Sequence, residues 1–193
     1  KISFDYEIIN HQNEEFKDRI QHNNNEETFG NLSSLLKCYE IAKSEAKDLV
    51  YFVEDDYIHE AHCLLEMVET YERISSQLNK EIFVCPSDYP YLYNDIDQSK
   101  IFAGSNRHWR TINRVLCTFL VSKDHLSEYW ENFTNTCLSR NDPFEKHINE
   151  IFYRELCLSP MKSLAIHITN VNSSYGLSPF IDYKKLWEEN ENI

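Results

Sequence analysis

The run Asp48-Leu-Val-Tyr-Phe-Val-Glu-Asp-Asp-Tyr-Ile-His59 limits what this chain can fold into more than any other segment. Leu49 to Val53 is a short apolar run of β-branched and aromatic residues, the pattern of a strand covered on both faces, and it stops at three consecutive acids. Strands of that kind belong to α/β sheets, whose ligands bind just beyond the carboxyl ends of the strands. Glu54, Asp55 and Asp56 fall at such an end. Crowded carboxylates repel one another, and a divalent cation is the simplest remedy. A solvated acidic turn opening a helix is the bland alternative, since acids are favoured at helix N-termini.

The rest of the chain is read around that strand. Ile2 to Ile9 reads as a strand and Gln21 to Glu27 as a solvated loop. Asn31 can cap a helix ending near Ala46, with Leu32, Leu35, Leu36 and Tyr39 on one face. After the acids the spacing predicts a second helix with Leu64, Leu65, Val68, Tyr71 and Ile74 inward, giving a βαβ rhythm. Glu81 to Cys85 is a short strand, and the Pro- and Tyr-rich stretch to Tyr93 is a rim loop. Thr111 to Val121 reads as a strand or hairpin arm, and Asp124 to Phe133 as a helix. Asp142-Pro143 supplies an N-cap and first-turn proline for a helix with Phe144, Ile148, Ile151 and Phe152 inward. Leu164 to Ile168 is a final strand carrying His167, and the tail beyond Asp182 either docks as a helix or frays.

Length and charge narrow the class. A chain of 193 residues with 41% hydrophobic content suits one domain with a sizeable core, and no apolar run approaches a membrane span. The formal charge of −13 disfavours a nucleic-acid interface, which needs clustered Lys and Arg. The six cysteines lack Cys-x-x-Cys or zinc-ligand spacing and read mostly as small buried hydrophobes, with a reducing, cytoplasmic compartment expected. Sequons at Asn31, Asn132 and Asn172 match the chance expectation of about two closely enough to decide nothing. Three scattered glycines form no phosphate loop, which argues against P-loop enzymes and Rossmann dehydrogenases.

The triplet Glu54-Asp55-Asp56 resembles the Asp-x-Asp motif of the GT-A nucleotide-sugar glycosyltransferases. The preceding Asn31-Leu-Ser-Ser-Leu-Leu-Lys-Cys-Tyr-Glu-Ile-Ala42 looks like the helix that family places before its motif. The later His108-Trp109-Arg110 and Cys117-Thr-Phe-Leu-Val-Ser-Lys123 look similar to the segment shaping its sugar and acceptor side. The resemblance covers Asn31 to Lys123 well and the remainder weakly. It implies an α/β fold, a GT-A (Rossmann-like) mixed sheet flanked by helices, spanning residues 1–193 as a single catalytic domain. It also implies a hexosyl- or deoxyhexosyltransferase that moves a sugar from a nucleoside diphosphate, most suitably UDP, to a glycan hydroxyl with inversion.

Under that resemblance Asp56 ligates Mn²⁺ or Mg²⁺ directly, and Glu54 binds it through water or holds the donor's ribose or sugar. Asp55 has a less defined place on the donor side. The late His167 resembles the family's histidine ligand, its ordinary alternative being a hydrogen-bonded core residue. Trp109 and Arg110 pair an aromatic face with a guanidinium suited to sugar and phosphate, Trp109 being equally well a core residue. Tyr89, Tyr91 and Tyr93 are either an acceptor wall or packing over the sheet edge. Asp142 is the candidate general base, against an ordinary N-cap role, with Glu145 and Asp88 as alternates.

One departure concerns the N-terminus. The family opens with a base-cradling strand, and Ile2 to Ile9 looks more like its second strand, so either residues precede Lys1 or the base site is incomplete. Two other readings compete. A haloacid-dehalogenase-type phosphatase needs an Asp nucleophile where Glu54 stands. A GT-A-like glycan-binding or assembly module accommodates the missing strand.

Overall fold

The structure, a computed structural model, describes residues 5–21, 26–94, 96, 98–168 and 180–191. Its centre is a six-stranded mixed sheet of β1 (Leu49–Phe52), β3 (Phe83–Val84), β4 (Ile101–Ala103), β5 (His108–Ile112), β6 (Phe119–Ser122) and β7 (Cys157–Pro160). Their spatial order is β1-β6-β3-β7-β5-β4. Only β3 and β7 run parallel; the other neighbours are antiparallel. A second, two-stranded sheet pairs β2 (Tyr57–His59) with β8 (Ala165–His167). The helices are α1 (Glu26–Glu45), α2 (Cys63–Leu78), α3 (Lys123–Glu128), α4 (Trp130–Leu138), α5 (Lys146–Phe152) and α6 (Tyr183–Glu191).

Strand alternation sorts the core into two layers. Phe52, Phe119, Val121, Phe83 and Cys157 face one side, where they join Leu32, Leu36 and Tyr39 of α1, Phe133 of α4 and Ile148 of α5. Leu49, Tyr51, Leu120, Val84 and Leu158 face the other, against Met67, Tyr71 and Ile74 of α2. Both faces of β1 are therefore covered, as its apolar composition requires. This is a mixed α/β sheet flanked by helices, compatible with a Rossmann-like arrangement.

Several expectations about elements change. In α2 the buried face is Cys63, Glu66, Met67, Thr70, Tyr71 and Ile74, whereas Leu64 and Leu65 point outward. Cys63, Met67, Tyr71 and Ile74 recur at helical spacing and pack together against the sheet, which leaves Leu64 and Leu65 off that face. Helix α1 starts at Glu26, so Asn31 lies inside it and is no cap. Thr111 to Val121 is divided between β5 and β6. The Asp142-Pro143 bond is cis, and α5 begins only at Lys146 with Glu145 before it, so Asp142 does not cap it. Residues 5–10 form no strand, and residues 1–4 of the expected Ile2 to Ile9 strand lie outside the described residues. The tail does dock: Asp182 accepts from the backbone of Lys184 and Lys185, and Leu186 is buried.

Gly104 marks the tightest packing. A β-carbon there would collide with the indole of Trp109 and stand 2.7 Å from Thr70 Oγ1. Neither a buried ring nor a helix residue can withdraw cheaply, so Gly104→Ala should cost about 1 to 3 kcal/mol and lower Tm by roughly 2 to 12 °C in a thermal melt.

Candidate functional site

The acidic triplet is held by pairing on both of its flanks. Upstream, Phe52 of β1 pairs with Phe119 of β6. One step further a side chain replaces the ladder: Glu54 N–H donates to Thr118 Oγ1 at 3.0 Å, and that hydroxyl lies 3.4 Å from Glu54 Oε2. Downstream, Asp55 and Asp56 turn the chain into β2, where Tyr57 stands opposite His167. Ile168 N–H donates to the Asp56 carbonyl at 2.8 Å, which extends the small sheet up to the acids.

That register brings His167 beside Asp56, with Nε2 of the imidazole 2.6 Å from Oδ2 of the carboxylate. The Tyr57 ring stacks on the imidazole, centroids 4.9 Å apart and planes 23° from parallel. Its hydroxyl is hydrogen-bonded in turn to Tyr89. Stacking and pairing together fix the imidazole plane, while Nδ1 is buried without a hydrogen-bond partner among the described residues.

Charge has accumulated here with little compensation. Burial, followed by repulsion from Asp56 and Glu145, pushes the Glu54 carboxyl up to about 7, in spite of the hydrogen bond from Thr118. Glu145, just before α5, is also raised, by burial. The acids line a cavity of about 520 Å³ whose other walls include Asn31, Ser34 and Cys38 of α1, Cys117 and Phe144. A second cavity of about 830 Å³ shares Asn31 and Phe144 with it and contains Asp142.

The residues singled out from sequence separate into two groups. Glu54, Asp55 and Asp56 line the first cavity together, and His167 reaches Asp56. Asp142 is exposed in the second cavity, while the alternate Glu145 is close enough to Glu54 to raise its proton affinity. Trp109 and Arg110 are elsewhere: β5 stands four positions from β1, roughly 19 Å at the usual strand spacing. The Trp109 side chain has no exposed surface, so it offers no face to a sugar. Arg110 is buried in an ion pair with Asp88 at 2.8 Å and packs over Tyr93 at 4.3 Å, which explains both charges without a ligand. Tyr89 is buried and stacked against Tyr91, which is packing over the core and no open wall.

Sequence reasoning passed over Thr118 and Tyr57. Thr118 carries one faint signal, a hydroxyl immediately before the apolar run of β6; Tyr57 carries none, because three residues between the acids and a helix are too few to show a strand pattern. Among the described residues, no three His, Cys, Asp or Glu side chains are grouped closely enough to hold an ion by themselves. Asp56 and His167 nonetheless offer one oxygen and one nitrogen donor. The carboxylate is a donor of the kind Mn²⁺ and Mg²⁺ take, the imidazole is a poorer one for Mg²⁺ than for Mn²⁺, and any such ion would need phosphate or water for its remaining positions. No protein-family model matches the chain, and no curated protein matches it.

The raised Glu54 carboxyl has a consequence for stability. Its folded value of about 7 lies above the ordinary 4.5, so the folded state holds the proton more tightly. Stability is then full below the ordinary value and falls as pH rises to about 7, by at most about 3 kcal/mol. Glu54→Gln should remove this dependence. Urea unfolding at about pH 4 and about pH 8 should show the variant gaining on the native protein only at the higher pH.

Proposed function

We propose that the chain is a metal-dependent glycosyltransferase of GT-A type, moving a sugar with inversion from a nucleoside-diphosphate donor, most suitably a UDP-sugar, to a glycan hydroxyl. The observation that carries the reading is the meeting of Asp56 and His167, residues far apart in sequence that the resemblance expects to share one ion. In support, the acids sit at the carboxyl end of a strand and open into a cavity large enough for a small-molecule ligand.

In this reading Asp56 and His167 would hold the ion in place of the hydrogen bond between them. When bound, a divalent ion neutralises the departing diphosphate. Glu54, with its raised proton affinity, donates or accepts a hydrogen bond to a donor hydroxyl. Glu145 takes the proton of the attacking acceptor hydroxyl. Burial raises the proton affinity of its carboxyl, and it lies close enough to Glu54 to act on that group as well, whereas Asp142 is exposed in the second cavity.

A second reading has one observation in its favour. Only two protein donors meet at the acids among the described residues, which suits a non-catalytic glycan-binding or assembly module. Slow hydrolysis of UDP-sugars in Mn²⁺ separates the two, because a binding module leaves the donor intact.

Calorimetry with UDP and Mn²⁺ tests the leading reading. Asp56→Ala and His167→Ala should each weaken UDP binding by about tenfold or more, and undiminished affinity in both would defeat the metal assignment. Glu145→Gln should bind UDP and lose transfer by about 10² to 10⁴-fold. Should Asp142→Asn show that loss and Glu145→Gln not, the base is Asp142.

A further inference from the structure

Resting on the transferase reading, we propose that the second cavity is the acceptor subsite and that it takes a neutral glycan. Its position is the first argument. The two cavities share Asn31 on α1 and Phe144, so they adjoin, the first holding the acids and the second residues 140–142. Glu145, the residue after Phe144, is close enough to Glu54 of the first cavity to raise its proton affinity, which puts the carboxyl assigned to deprotonation on the acid side of that junction. The donor occupies the acid end; the remaining volume of about 830 Å³ is within the range of pockets that enclose small ligands.

The lining chemistry is the second argument. Asn31 offers an amide that donates and accepts; Asn141, whose amide nitrogen already donates to the carbonyls of Ser139 at 3.0 Å and Thr136 at 3.5 Å, offers its oxygen; Glu27 and Asp142 accept, and Arg140 donates. Phe144 gives an aromatic surface for the C–H face of a sugar ring. This mixture of short-range donors and acceptors around one ring suits hydroxyl groups better than an apolar ligand.

Charge decides between neutral and acidic sugars. Among the described lining residues the two carboxylates outnumber the one guanidinium, and the chain as a whole carries −13. An acidic sugar therefore enters against repulsion, while a neutral one loses nothing. Sequence reasoning took Asp142 for a base; here it holds an acceptor hydroxyl.

The test uses the full chain saturated with Mn²⁺ and UDP, a panel of neutral disaccharides, and methyl glucuronide as the acidic probe. Calorimetry on the same samples first establishes whether UDP binds. The expected result is that at least one neutral disaccharide binds and slows backbone hydrogen exchange across residues 139–145, that methyl glucuronide does not, and that Arg140→Ala weakens the disaccharide about tenfold. Arg140 is exposed, so its truncation leaves the core untouched. If UDP binds and no disaccharide protects 139–145, or if the glucuronide binds at least as well, the acceptor assignment is overturned and the transferase reading stands. If UDP fails to bind with Mn²⁺, the transferase reading falls and this inference with it.

Discussion

The hydrogen bond between Asp56 and His167 ties two segments that share no strand of the main sheet. It exists because β2 and β8 form their own small ladder, with Tyr57 opposite His167 and the Asp56 carbonyl accepting from Ile168. Without that ladder the acids would end a strand and project into solvent, and nothing would fix one carboxylate rather than another. The ladder selects Asp56. Glu54 is selected separately, by Thr118 on β6, so the turn is clamped by one sheet on each side and Asp55 is left exposed between them.

The electrostatic state of the site follows from this clamping. A mobile acidic turn would spread its charges apart in water at little cost. Here Glu54 is held partly buried near Asp56 and Glu145, and its proton affinity rises accordingly. Burying carboxylates close together is unfavourable unless something else gains, and a folded chain tolerates such strain mainly where a ligand relieves it. The Asp88–Arg110 pair shows the contrasting case within the same molecule. There a buried acid is matched by a guanidinium at 2.8 Å and by the Tyr93 hydroxyl at 2.5 Å, so it needs no further partner. Matched burial indicates architecture, and unmatched burial indicates a site.

That contrast also explains which parts of the sequence were legible. The apolar run of β1 and its acidic stop could be read because burial on both faces leaves no polar residue in the strand, and the chemistry begins where burial ends. The inward face of α1 was legible for the same reason: Leu32, Leu36 and Tyr39 repeat at helical spacing. Trp109 and Arg110 misled because an aromatic beside a cation has the same composition in a sugar site and in a core with one internal ion pair. Only the partner, Asp88 more than 20 positions upstream, distinguishes them, and pairing over that distance leaves no local trace. Leu64 and Leu65 failed because apolar composition alone does not tell which of two neighbouring helical stripes meets the sheet: Cys63, Met67, Thr70, Tyr71 and Ile74 share the buried one, and the two leucines lie beside it.

The location of the acids at the edge of the sheet has a further implication. Among the described residues β1 has β6 on one side only, and the walls of the two cavities come largely from α1 and from residues 140–144. Phe144 packs against the core and Leu32 and Leu36 anchor α1, while Arg140 and Asp142 are exposed. Side chains on such segments can change without disturbing either core layer, whereas Asp56, Tyr57 and His167 are fixed by ladder pairing and stacking. The fold thus separates an element that positions one carboxylate and one imidazole by strand pairing from exposed side chains on a neighbouring segment.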